Sequence, residues 1–325
     1  MTGIICGVDV SSTKLDARIG REGRFASFDN DAEGFAALAA FFREHGAALV
    51  VMEATGGYEK RAFASLWGHG LEVAIVNPRA VRRFAEAMGW LEKTDKIDAG
   101  VIAWFAEARG VKPTPLAGEA QKRLTALVVR LSQLTDLKVA QTNQRRLVDD
   151  PSVLETFTQV LAVVASRMRA LETEIAQLID ADPLWVKLDE AFRTVKGVAD
   201  RTVARVMAQL PEIGLFSGKA ISKLVGLAPI AKDSGKFKGA RSVRGGRSDV
   251  RSTLFIVAEV VRRHDDDFAR FKERLEKAGK PKKVIRVALA HKLLIRLNAK
   301  AREARATLAM AATAGRAAAV IVDRL

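Results

Sequence analysis

The 325-residue chain is poor in several residue types, and each shortage narrows its possible class. Its single cysteine, Cys6, excludes an intramolecular disulfide and a thiolate-bound metal cluster, and it indicates a reducing compartment such as the cytoplasm. The apolar runs fall far short of the ~18 residues that a membrane-spanning helix needs. The N-terminus lacks the basic and apolar blocks of a signal peptide. We therefore expect a soluble protein with no membrane partner.

Acidic residues are also scarce relative to basic ones, with 38 Asp and Glu against 53 Lys and Arg. The resulting net charge of +15 raises the local concentration of polyanions and speeds their capture, which favours a nucleic-acid partner. Aromatic residues make up only 6% of the chain, so base stacking is expected to contribute little to binding. The four histidines are scattered and show no metal-ligand spacing.

Hydrophobic periodicity divides the chain into three predicted regions. Residues 1–112 alternate strands with helices after an initial three-strand meander, which predicts an α/β domain with a mixed sheet. Residues 113–184 begin at a proline pair and contain two long amphipathic stretches, which predict an antiparallel helical hairpin or coiled-coil arm. Residues 185–325 are predicted to be mostly helical, with a loop at 230–248.

Four carboxylates of the first region are placed where they could meet. Asp9 and Glu53 each close an apolar strand, and Asp95 and Asp98 stand three residues apart at a helix start. Oxygen ligands of this kind suit hard divalent cations, and two such ions stabilise the attacking and leaving oxygens of a phosphodiester displacement. Taken singly, each residue has a simpler explanation, as a turn former, a strand end or an acidic residue at a helix N-terminus.

The order of four short motifs resembles the DEDD-type insertion-sequence transposases, a group that includes the Piv-like DNA invertases and the bridge-RNA-guided serine recombinases. The motifs are Gly7-Val8-Asp9-Val10, Met52-Glu53-Ala54-Thr55-Gly56-Gly57-Tyr58, Val76-Asn77-Pro78 and Thr94-Asp95-Lys96-Ile97-Asp98-Ala99. The resemblance implies a RuvC-like fold of the RNase H class for residues 1–112. It also implies that Asp9, Glu53, Asp95 and Asp98 bind Mg²⁺.

A basic, glycine-interrupted segment in the third region forms a second candidate site. Glycine amides flanked by cations can hold a sugar-phosphate backbone, although a solvated basic loop is the simpler explanation. The seven candidate nucleic-acid-binding residues are Lys232, Lys236, Lys238, Arg241, Arg244, Arg247 and Arg251.

Within that segment, Gly226-Leu227-Ala228-Pro229 followed by Asp233-Ser234-Gly235 resembles the second characteristic block of the same family. The resemblance implies that Ser234 is a nucleophile that joins covalently to DNA, whereas a simple turn at Ser234-Gly235 is the alternative. Ser242, Ser248 and Ser252 are weaker candidates for the same role.

The leading hypothesis is therefore an Mg²⁺-dependent DNA recombinase of a bacterial insertion sequence, active at the nucleoid. Its implied partners are donor and target DNA, a guide RNA made by the element, and further copies of the chain in a dimer or tetramer. Three alternatives stay open: a RuvC-like endonuclease that uses metal-activated water, a sugar-kinase-like ATPase suggested by Val8-Asp9-Val10-Ser11-Ser12-Thr13-Lys14, and a non-catalytic nucleic-acid scaffold.

Overall fold

The chain forms two compact units, residues 1–117 and residues 118–325. The computed structural model describes the backbone of residues 3–90, 95–231, 233–235, 237–239 and 241–322. Side chains are described for the same residues except 95–97, 237–238 and 312–322. We refer to the two parts as the N-terminal unit and the C-terminal unit.

The N-terminal unit is built on a five-stranded mixed sheet in the order β3-β2-β1-β4-β5. The first three strands form an antiparallel meander, and β1, β4 and β5 run parallel to one another. The strands are β1 (Ile4–Val10), β2 (Lys14–Ile19), β3 (Phe25–Asp29), β4 (Ala47–Glu53) and β5 (Val73–Val76). The helices are α1 (Ala32–Glu44), α2 (Glu59–Gly68), α3 (Pro78–Ala87) and α4 (Asp95–Arg109).

Helices cover both faces of this sheet because successive side chains of a strand point to opposite faces. Cys6, Val8 and Val10 of β1 join the core that packs under α1 and α2. The opposite face carries a separate core formed with α3 and α4. Cys6 is fully buried, and this burial raises the pKa of its thiol to about 11.

The C-terminal unit is helical, and its core draws on all of its longer helices. The helices are α5 (Glu119–Arg145), α6 (Pro151–Asp180), α7 (Pro183–Arg193), α8 (Asp200–Gln209), α9 (Gly218–Val225), α10 (Ser248–His264), α11 (Asp266–Lys277) and α12 (Lys282–Val322). Within the described residues, no helix is long and apolar enough to cross a membrane.

Helices α5 and α6 form the predicted helical hairpin. Asp150 caps α6, because its Oδ1 atom accepts hydrogen bonds from the amides of Ser152 and Val153 at 2.9 and 3.0 Å, and Pro151 occupies the first helical position. The first part of α5, up to Leu134, and the last part of α6, from Val164, pack in the core of the C-terminal unit. The span 135–163, which is fully described, contains no buried side chain. We call this span the outer arm.

Candidate functional site

Asp9 and Glu53 lie at the ends of neighbouring parallel strands. The register of β1 and β4 pairs Val8 with Met52, so the next residue of each strand, Asp9 and Glu53, stands side by side at the same sheet edge. Both carboxylates share one face with Gly7 and Val51, because Val8 and Met52 are buried in the core on the other face. The face that carries Asp9 and Glu53 is the one covered by α3 and α4.

Helix α4 runs in the opposite direction to β1, which brings its first turn toward the strand end that carries Asp9. After α4 the chain returns to the beginning of β5, where the amide of Thr114 donates to the carbonyl of Val73 at 2.9 Å. Near the end of α4, Glu107 forms an ion pair with Arg21. Arg21 follows Ile19, the last residue of β2, which pairs with Cys6 near the beginning of β1. The N-terminus of α4 therefore lies toward the opposite edge of the sheet, where Asp9 and Glu53 end their strands.

Gly7 fixes how closely α4 approaches the sheet. A Cβ atom on Gly7 would lie 2.0 Å from the carbonyl oxygen of Ala99 and 2.9 Å from the amide nitrogen of Ala103. The absence of a side chain thus allows the helix backbone to rest on β1. Asp98, which is half-buried, immediately precedes Ala99 on this helix.

The structure thus brings Asp9, Glu53 and Asp98 to one face and one edge of the N-terminal unit. The side chain of Asp95 lies outside the described residues, although α4 begins at this residue. Among the side chains that the structure does describe, no three His, Cys, Asp or Glu residues form a group that could hold a metal ion. The donor set itself, three or four carboxylates, matches the oxygen ligands that Mg²⁺ prefers.

A further carboxylate on the same face, Asp16, was missed by the sequence analysis. It pairs directly with Asp9 across the β1–β2 hairpin. Leu15 and Ala17 are buried in the core of the opposite face, so Asp16 points to the face of Asp9. The alternation of apolar and polar residues in β2 was the signal that could have identified it.

The turn that follows Glu53 is ordered by a buried glutamate. The carboxylate of Glu59 accepts hydrogen bonds from the amides of Thr55 at 3.0 Å and Gly57 at 2.9 Å. Gly57 has a positive φ of 105°, which favours glycine at this position. Glu59 therefore orders the turn that directly follows Glu53, a contact that the sequence alone did not indicate.

Ser234 lies on a small β-hairpin within the segment predicted to be a loop, and in this respect the loop prediction was wrong. Strand β6 (Asp233–Ser234) pairs with β7 (Phe237–Lys238), and Ser234 stands opposite Phe237. Gly235, the first residue of the two-residue turn, has a φ of +54°, as tight hairpin turns require. The Ser234 side chain is exposed. The hairpin thus presents its hydroxyl beside the turn.

Several of the seven basic residues predicted to bind nucleic acid have partners within the protein. Arg247 donates to both carboxylate oxygens of Glu212, at 2.6 and 2.5 Å. Arg251 donates to the carbonyls of Val225 and Gly245. These two arginines brace the glycine-rich segment against the helical core.

The remaining members of the basic set are placed differently. Arg241 pairs with Asp233 at the base of the hairpin, at 2.7 Å, while Arg244 is exposed. Lys232 and Lys236 lie outside the described residues, as does the side chain of Lys238. Arg244 is therefore the described member that is best placed to contact a phosphate.

These features define a class of protein: an α/β unit with carboxylates at one sheet edge, joined to a basic helical unit. Comparison with known proteins gives the family. A profile for the DEDD type of IS110 transposases, described as "Transposase", matches residues 6–148, and a profile described as "Transposase IS116/IS110/IS902 family" matches residues 189–273. Together they cover most of the chain, which belongs to the IS110-type DEDD transposase family.

Individual relatives agree with this family. The chain is 26% identical over 312 residues to the pilin gene-inverting proteins of Moraxella lacunata and Moraxella bovis, covering 90% of this chain and 94% of each relative. It is 27% identical over 197 residues to an uncharacterized 43.6 kDa protein of insertion element IS110 from Streptomyces coelicolor, covering 57% of this chain and 47% of that protein.

Proposed function

We propose that this transposase is a DNA recombinase that cuts and rejoins DNA through a phosphoserine intermediate on Ser234, with Mg²⁺ held by Asp9, Glu53, Asp95 and Asp98. The observation that carries the proposal is the side-by-side placement of Asp9 and Glu53 on the face toward which α4 brings Asp98. The five-stranded sheet has an antiparallel meander, β1 to β3, and two further strands, β4 and β5, that run parallel to β1. This mixed topology supports a RuvC-like assignment for the N-terminal unit.

Each carboxylate has a defined task in this proposal. Asp9 and Glu53 would hold the cation from the sheet, and Asp95 and Asp98 would complete its ligands from the first turn of α4. When bound, Mg²⁺ neutralises charge on the phosphodiester and stabilises the attacking and leaving oxygens. Asp16, which faces Asp9 across the hairpin, adds negative charge that strengthens cation binding at the same edge.

Ser234 supplies the attacking oxygen. Its Oγ forms a bond to phosphorus as the bond to the strand's 3′-oxygen breaks, and the serine proton ends on that 3′-oxygen. A 3′-hydroxyl from another strand then attacks the phosphoserine, rejoins the backbone in a new pairing and returns the proton to Ser234. The number of phosphodiester bonds is unchanged, so no ATP is needed. The exposure of Ser234 beside a tight turn supports this role, since a duplex must reach the hydroxyl.

The partners follow from charge and from family membership. The excess of 15 positive charges favours capture of donor and target DNA. A guide RNA made by the element, and assembly into a dimer or tetramer through the helical arm, are further parts of this proposal. The exposed apolar side chains of the outer arm support assembly; they include Leu137, Val139, Leu147, Val153, Val160 and Val163.

The decisive experiment is to trap the covalent adduct. The full chain is incubated with DNA carrying the ends of its own element, with the element's RNA and Mg²⁺, and the adduct is digested and sequenced by mass spectrometry. We expect the phosphodeoxynucleotide on Ser234. Ser234→Ala should abolish the adduct, whereas the matched variant Ser242→Ala, which alters another exposed serine of the same segment, should retain it.

The carboxylates are tested in the same assay. Asp9→Asn and Glu53→Gln preserve side-chain size while removing charge, and each should lower the Mg²⁺-dependent rate by at least about a hundredfold. If Ser234→Ala still cuts DNA at the normal rate in Mg²⁺, metal-activated water is the nucleophile and the endonuclease alternative replaces the recombinase. If Asp9→Asn and Ser234→Ala both retain full function, the protein is a non-catalytic scaffold.

A further inference from the structure

Two tryptophans, the exposed Trp90 and the half-buried Trp104 of α4, form an aromatic cluster. Trp104 of α4 contacts Trp90, with ring centroids 6.4 Å apart, and Phe84 of α3 supports Trp104 from behind at 5.2 Å. Both contacts are T-shaped, with interplanar angles of 69° and 79°. Trp90 is 40% exposed, so part of its ring is open to solvent.

Two arginines stand beside these rings and are held in fixed positions. The Arg21 guanidinium lies 5.1 Å from the centre of the Trp104 ring and donates to Glu107 at 2.7 Å. Arg18 donates to the carbonyls of Glu22 and Gly23. Arg18, Arg21, Trp90 and Trp104, together with Glu22, Gly100 and Val101, line a cavity of about 110 Å³. This volume is well below the roughly 300–1,000 Å³ of pockets for drug-sized ligands or cofactors, but it admits one small planar group.

The cavity shares strand β2 and helix α4 with the proposed catalytic carboxylates. Asp16 and Arg18 are successive side chains on the same face of β2, and they pair with Asp9 and Gly7 of β1 respectively. A Cβ atom on Gly100 would lie 3.3 Å from the Cδ of Arg18, so α4 also passes directly over this strand. Asp9 and Arg18 therefore lie on the same face of the sheet, so a DNA strand bound along this face can contact both.

We propose that Trp90 and Trp104, with Arg18 and Arg21, form a pocket that stacks one unpaired nucleobase of the bound DNA strand. The proposal rests on the function proposed above. Ring faces stack on any base, and fixed guanidinium groups add cation–π and phosphate contacts. Paired bases are shielded inside the duplex, so occupancy of the pocket requires a locally unpaired nucleotide.

The test measures how much the bases contribute to binding, in EDTA so that no cutting occurs. The full chain is titrated with a single-stranded dodecamer of thymidine and with a dodecamer of abasic spacers, which has the same phosphates and no bases. The wild-type protein should bind the thymidine strand at least about tenfold more tightly. Trp90→Ala should remove most of that preference, and Trp90→Phe should restore part of it. Binding of thymidine should also quench tryptophan fluorescence in the wild type and less so in Trp90→Ala.

Met88→Ala is the matched control, because Met88 is an exposed apolar side chain two residues away that has no aromatic ring. It should keep the wild-type preference. A Trp90→Ala protein that still prefers the thymidine strand by the wild-type factor would overturn the pocket while leaving the recombinase proposal intact. If the wild-type chain shows no preference for the thymidine strand, the pocket is likewise overturned, whereas the recombinase proposal is decided separately by the trapped adduct.

Discussion

Replacing Gly7 by alanine tests whether the close contact between α4 and β1 sets the geometry of the carboxylates. The new Cβ would lie 2.0 Å from the Ala99 carbonyl oxygen, and real Cβ contacts do not fall below 3.0 Å. Helix α4 must therefore move by about 1 Å or more. Overpacking of this kind costs ~1–3 kcal/mol of unfolding free energy. A shift of ~1 Å between catalytic groups can lower the rate about a hundredfold.

Gly34→Ala provides a control with an equally severe clash elsewhere in the same unit. Gly34 lies at the start of α1, which covers the other sheet face. A Cβ atom on Gly34 would lie 1.9 Å from the carbonyl oxygen of Asp29. Urea denaturation should show similar losses of stability for both variants. The rate of adduct formation, measured where both remain folded, should fall about a hundredfold in Gly7→Ala and less than about threefold in Gly34→Ala. Equal rates in the two variants would refute the idea that the Gly7 contact positions the carboxylates.

Three further predictions concern groups away from the sheet edge. Burial raises the pKa of the Cys6 thiol to about 11, so iodoacetamide at pH 8 should label this residue only after unfolding; rapid labelling of the native protein would contradict its burial. Burial lowers the pKa of His291, so the folded state favours the neutral ring and the free energy of unfolding falls as the pH drops below about 6.5. In urea denaturation, His291→Gln should weaken this dependence of stability on pH. An unchanged dependence would show that another group causes it. Arg247→Met should lower the free energy of unfolding by ~1–3 kcal/mol in urea denaturation, because it leaves Glu212 without its paired cation. Adding Glu212→Gln to this variant should recover part of the loss. A loss of DNA affinity with no loss of stability would make Arg247 a DNA contact instead of an internal support.

Local chemistry was enough to predict the N-terminal unit almost element by element. The predicted three-strand meander and the alternating strands and helices after it are both present in the structure. Local capping is equally direct: the Oδ1 atom of Asn77 accepts a hydrogen bond from the amide of Arg79 at 2.9 Å at the start of α3. Apolar periodicity and capping residues act over a few positions, so they can be read from one segment at a time.

Features that depend on distant partners could not be predicted in this way. The internal acceptors of Arg247 and Arg251 could not be predicted, because a basic run gives no sign of which carboxylates and carbonyls will face it. Nucleic-acid binding by these two arginines stays a prediction. The short β6–β7 hairpin was predicted as a loop, since strands of two residues carry no periodicity. The low aromatic content predicted little base stacking, yet the fold brings Trp90 and Trp104 together at the surface from positions fourteen residues apart.

The outer arm has a consequence for how this protein can vary. Because no side chain of 135–163 is buried in the core, unwinding of this span leaves the rest of the C-terminal unit intact, and its amides should exchange with solvent early. Matched insertions or deletions of whole helical turns in α5 and α6 would lengthen or shorten the outer arm by ~5.4 Å per turn. They would not change the packing of the helical core. The length of the outer arm can therefore change without altering the core of the C-terminal unit.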